Sequence, residues 1–149
     1  MKITIKMLAI LMVCSGMLAT VACNKDDDDD NKSTEELLTA PSCWKLVKSE
    51  GFDPSTNTWV EEALENCDKD DCQKFNSDKS ISFDEGATKC DPSDPQSYTG
   101  TWSLSADNKQ LTLTALGLSF PQTIVEINSG KLVLEADFFG FKSRSTLQP

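Results

Sequence analysis

Residues 98–115 read Tyr98-Thr-Gly-Thr-Trp102-Ser-Leu-Ser-Ala-Asp107-Asn-Lys-Gln-Leu111-Thr-Leu-Thr-Ala115. Tyr98, Gly100, Trp102 and Leu104 alternate with small polar residues, then Leu111, Leu113 and Ala115 alternate with Thr112 and Thr114. A period of two on both sides of Asp107-Asn108-Lys109 is the pattern of two half-buried strands joined by a tight turn. The same reading extends outward. Leu132, Leu134 and Ala136 follow the turn signal Asn128-Ser129-Gly130, and Gly140 separates them from a last strand, Phe141 to Leu147. Val125 and Ile127 alternate with Glu126 and Asn128 to give the strand before that turn. On the N-terminal side, Cys72–Phe75 and Ser80–Phe83 flank Asn76-Ser77-Asp78-Lys79, while Trp44 and Leu46 share one face of the first strand. Thr58-Trp59-Val60 forms another short strand, and Trp59–Asn66 is the one competitor for a helical turn, by its Glu, Ala and Leu content.

This succession of hairpins predicts an all-β fold. An eight-stranded up-and-down antiparallel barrel over residues 41–149 removes the exposed edges of such a meander.

The N-terminus reads as an address. Lys2 and Lys6 precede an apolar stretch, Met7–Val13, and small residues lead to Ala22. Residues 1–22 are thus expected to be a signal peptide, too short in its apolar part to remain as a membrane span. Thr20-Val21-Ala22-Cys23 resembles the bacterial lipobox, which implies lipidation of Cys23 and a membrane partner through that lipid. Asp26–Asp30 and the polar residues after them read as an acidic flexible tether over residues 23–40. The Cys-x-Lys-Asp-Asp pattern resembles the export signal of Bacteroidetes-type surface lipoproteins. That resemblance implies display on the outer face of the outer membrane, with the periplasmic face as the alternative. Removing residues 1–22 leaves 149 − 22 = 127 residues, and a side-chain charge of 12 − 24 = −12.

Charge and composition narrow the function. The whole chain has 14 basic and 24 acidic side chains, a formal charge of −10 and no histidine. Such a field repels phosphate and argues against nucleic-acid binding. The missing histidine removes the commonest general base and metal ligand. No Gly-x-Ser-x-Gly motif or glycine-rich phosphate loop occurs, so neither an enzyme nor a cofactor is expected. Asp68, Asp70, Asp71, Asp84, Glu85, Asp91 and Asp94 gather around the cysteines, and solvated loop charges explain them better than a calcium site. Nothing in the sequence marks an oligomeric state.

Cys43, Cys67, Cys72 and Cys90 remain in the body, an even number in an exported chain, and are read as two disulfides with no metal. Of the three pairings, Cys67–Cys90 with Cys43–Cys72 is preferred. Cys67–Cys72 would close a very short loop, and Cys43–Cys72 requires the first and third strands to lie side by side.

Cys43-Trp44-Lys45-Leu46, Phe83-Asp-Glu-Gly-Ala-Thr-Lys-Cys90 and Gly100-Thr-Trp102-Ser-Leu-Ser105 together resemble the lipocalin-like domain of small bacterial lipoproteins. The resemblance covers most of residues 41–147, though Ser42 stands where the family has glycine. It implies the eight-stranded barrel and matches Cys67 and Cys90 to the family's paired cysteines. An eight-stranded barrel either fills itself or holds one small ligand. Candidate lining residues for an apolar or amphipathic molecule are Trp44, Phe75, Phe83, Tyr98 and Trp102. Leu113, Val125, Leu134 and Phe141 complete the set. Phe138, Phe139 and Phe141 crowd one hairpin, so at least one is expected at an exposed rim. The alternative is a non-catalytic interaction module with a filled barrel, binding a protein or glycan.

Overall fold

The computed structural model describes residues 31–149. Cys23, the signal segment 1–22 and the acidic run 26–30 lie outside the described residues. One helix and nine strands follow: α1 (Thr34–Thr39), β1 (Lys45–Asp53), β2 (Thr58–Glu62), β3 (Cys72–Phe75) and β4 (Ser80–Asp84) come first. The rest are β5 (Ser97–Leu104), β6 (Gln110–Ala115), β7 (Leu118–Asn128), β8 (Lys131–Phe138) and β9 (Phe141–Gln148). Every pairing is antiparallel, and the sheet order is β2-β1-β9-β8-β7-β6-β5-β4-β3.

The eight-stranded closed barrel is corrected in two respects: the described residues form nine strands, and their ladder does not close. The reason lies on the outer edge of β1. Its second half, Ser49–Asp53, pairs with β2. Only the chain just before β1 is left for β3, through a single bridge between Trp44 and Gln73, with N–H···O distances of 2.8 and 2.9 Å. The Cys43–Cys72 disulfide sits beside that bridge, with Cα atoms 5.4 Å apart. Cys67–Cys90 ties the β2–β3 loop to the β4–β5 loop, with Cα atoms 5.2 Å apart.

The strand read at Thr58-Trp59-Val60 is present and runs on to Glu62, because pairing with β1 and the edge contact of Trp59 with Phe52 (5.3 Å between rings) outweigh the helical propensity of this stretch. One other expectation changes. The only helix among the described residues is α1, within the segment read as tether. Ser33 caps it: its hydroxyl accepts from Glu36 N–H, and its own N–H donates to the Glu36 carboxylate at 2.7 Å. The Ser33 hydrogen bonds hold the Glu36 carboxyl below its usual range. Leu38 is fully buried and joins the hydrophobic core.

The core fills one end of the sheet. Trp44, Phe75, Ile81, Trp102, Leu111 and Leu132 pack under α1. The Trp44 indole N–H donates to the Leu38 carbonyl at 2.9 Å, and the Trp102 indole N–H donates to the Asn76 carbonyl at 3.0 Å. Lys79, in the β3–β4 turn, pairs with Glu35 and lies 4.1 Å over the Trp102 ring, which links the helix to that turn.

Candidate functional site

The strands run alternately toward and away from α1, so the β6–β7 and β8–β9 turns fall at the opposite, open end. A cavity of about 350 Å³ lies there, at the small end of the range for ligand pockets. Phe83 and Tyr98, a directly opposed pair on β4 and β5, stack with ring centres 4.7 Å apart on one side. Leu113 of β6, Phe120 of β7 and Leu134 of β8 form the opposite wall. Gln73, Gln122 and Ser145 add polar groups, and no Lys or Arg is among the lining residues.

The void exists because small side chains face inward on this level. Ala115, Gly100 and Ser145 occupy positions that period two turns toward the interior, next to Leu113, Trp102 and Leu147. A Cβ at Gly100 would run into the Thr114 carbonyl and Ala115, so β5 and β6 approach too closely there for any larger residue.

Burial pushes the Tyr98 hydroxyl up from its ordinary value, and the carboxylates of Glu85 and Asp71 push it the same way. Tyr98 therefore remains a neutral phenol, able to donate a hydrogen bond. Asp71 is also raised, first by burial, then by Glu85, Asp68, Asp70 and Asp84. The acids serve the loops: Asp70 accepts from Ala87 N–H (2.7 Å) and Thr88 N–H (3.0 Å), and Asp84 accepts from Gly86 N–H at 2.9 Å. The one metal-compatible group found among the described residues is Glu65, Cys67 and Cys90, whose sulfurs are bonded to each other.

The structure divides the expected lining set. Phe83, Tyr98, Leu113 and Leu134 line the cavity. Trp44, Phe75 and Trp102 do not; they fill the closed end, where Phe75 meets Trp102 edge-on at 5.8 Å. Phe141 is 81% exposed and borders an outer groove beside Phe52. Val125 is half exposed, because a register shift between Ile124 and Glu126 interrupts the alternation and turns Ile124 and Ile127 toward the core instead.

A family profile matches the chain that carries this cavity. The profile described as a lipocalin-like domain covers residues 43–134. The chain belongs to the lipocalin-like domain family. No curated protein and no solved structure matches it. Members of this family are generally binding proteins rather than catalysts, and the fold suggests small-ligand binding. The match begins at Cys43, so it spans β1–β7 and the first residues of β8 and leaves α1 and β9 outside. The sequence reading missed Phe120, Phe138, Leu116 and Leu118 as lining residues. Leu118, Phe120, Gln122 and Ile124 do alternate, a signal masked by Pro121 in mid-strand.

Proposed function

We propose that this lipocalin-like protein is held at the cell surface by a lipid on Cys23 and binds a small, neutral, apolar or amphipathic molecule at its open end. The apolar cavity walled by Phe83, Tyr98, Leu113 and Leu134 carries the reading. Its chemistry narrows the ligand. A buried carboxylate or phosphate needs a cationic partner, and no Lys or Arg is among the described residues that line the cavity. Asp71 and Glu85 stand close enough to raise Tyr98 and would repel an anion. A neutral hydroxyl or amide head group meets the Tyr98 phenol and the Gln73 and Gln122 amides without that cost.

Fluorescence titration with retinol and retinoic acid tests this. Saturable retinol binding, weakened by Tyr98→Ala and at least about tenfold tighter than retinoic acid, is expected. No uptake of either ligand would refute the cavity as a binding site and favour an interaction module. The anchor has its own test: intact-mass analysis should show acyl groups on Cys23 that Cys23→Ala lacks, and a mass that differs between the two only by the side chain would refute lipidation.

A further inference from the structure

We propose that the open rim is a membrane-docking edge, which inserts the β6–β7 and β8–β9 hairpin tips into the interfacial layer of a lipid bilayer. Leu116 is 84% exposed, Leu118 60%, Phe139 102% and Phe141 81%. They occupy two neighbouring tips, since β7 and β8 are paired and Phe120 meets Phe138 edge-on at 5.9 Å. The local backbone makes these choices costly. Leu116 and Phe139 have φ of 53° and 54°, each followed by a glycine at φ 78° or 87°. A two-residue turn of this kind favours Asn-Gly or Asp-Gly. The other non-glycine residues at positive φ among the described residues are Asn57, Lys79 and Asn108, all polar. Among the described residues, only at these two adjacent tips does a large apolar residue hold the left-handed position, at the expense of both strain and exposure.

Three features favour a bilayer over a protein. The four side chains project from tips and expose on the order of 600 Å², below the ~800 Å² per partner of a stable protein interface. Interfacial insertion of Leu and Phe needs no complementary surface. Hairpin tips also carry their own backbone hydrogen bonds into the membrane, and Gly140 N–H is already met by the Asp137 carboxylate at 3.0 Å. Third, α1 leaves the N-terminal segment at the opposite end, and 33 − 23 = 10 residue steps separate Ser33 from Cys23. Fully extended they span up to roughly 35 Å, more than the ~27 Å rise of an eight-residue strand. On the proposed anchoring at Cys23, the rim can therefore reach the membrane that holds the lipid. The docking itself stands whether or not the cavity takes up a ligand.

The test uses the chain from residue 23 onward with Cys23→Ser, which keeps the helix, all nine strands and both disulfides but has no acyl anchor. It should float with phosphatidylcholine vesicles. Leu116→Asn/Phe139→Asn should weaken that partition at least about tenfold. Its melting temperature should stay the same or rise, because Asn suits the left-handed position. In a Phe139→Trp variant, the new indole fluorescence should be quenched by brominated lipid. Failure of the parent chain to float, equal flotation of the Asn variant, or an unquenched indole on bound protein would each overturn the proposal. Because Leu116 also lines the cavity, Phe139→Asn alone separates the readings: Phe139 lies outside the cavity, so this variant should weaken the partition yet leave retinol titration unchanged.

Discussion

Removing Cys43–Cys72 should loosen the seam between β1 and β3, whereas removing Cys67–Cys90 should leave it closed. The two bridges span 29 and 23 residues. The loop-entropy relation gives about 3.6 kcal/mol for the first and about 3.4 kcal/mol for the second. On chain entropy alone, Cys43→Ser/Cys72→Ser and Cys67→Ser/Cys90→Ser would thus look nearly alike in a urea titration. The structure distinguishes them. Beside Cys43–Cys72, the backbone pairing across the seam among the described residues is the Trp44–Gln73 bridge, two hydrogen bonds worth about 0.5–1.5 kcal/mol each. Without the disulfide, that pair is too weak to hold two strand ends together, and it should open below the global unfolding threshold. Hydrogen exchange reads this directly. The Trp44 and Gln73 amides should exchange far faster in Cys43→Ser/Cys72→Ser while β8 and β9 amides keep the protection of the whole fold. In Cys67→Ser/Cys90→Ser, all of them should fall together. If the Trp44 and Gln73 amides stay as protected as β8 in the first variant, the disulfide is not what holds the seam.

Other perturbations bear on separate parts of the molecule. Trp44→Phe strands the buried Leu38 carbonyl and leaves a gap, so it should cost roughly 2–4 kcal/mol; Trp102→Phe should cost less in the same urea assay, because the Asn76 carbonyl is only partly buried. Asp71→Asn should stabilise at neutral pH. The folded-state value of Asp71 lies above its unfolded value, so its charge opposes folding at high pH, and that opposition fades as pH falls through the folded value. Thermal melts should show the Asn variant's advantage at pH 7 and its disappearance below about pH 4. Ser145→Leu places an apolar side chain into the cavity; retinol uptake should be lost while the melting temperature holds or rises, and unchanged uptake would move the binding site elsewhere.

Much of the sheet was legible because its strands are half buried. Leu111, Leu113 and Ala115 are buried and paired in register with or beside Trp102 and Leu104, as their period of two requires. What the sequence hid was of three kinds. The shift at Ile124–Glu126 depends on how many residues β8 offers opposite, which β7 does not record. The helix α1 is only six residues long and sits in a polar context, so its two leucines carry little periodic signal, although Ser33 and Glu36 do spell a capping box. The division of aromatic residues between core and cavity depends on position along the strands. Period two says that Trp102 and Tyr98 face the same way but not that four residues of strand separate a filled level from an empty one.

That difference in level accounts for the placement of the apolar groups. At the α1 end, large inward residues meet across the sheet: Trp44, Phe75 and Trp102 with Leu38 inserted among them, each indole donor matched by a carbonyl. At the other end, Gly100, Ala115 and Ser145 take the inward positions, and no helix among the described residues covers them. Apolar bulk there has moved outward, onto Leu116, Leu118, Phe139 and Phe141 at the tips. Folding energy does not explain this exchange, because an exposed phenylalanine at positive φ stabilises nothing in the free chain. A fold under selection for stability alone would put Asn in those turns and a leucine at position 145. The arrangement becomes economical only when the open end meets something apolar, inside the cavity, beyond the rim, or at both.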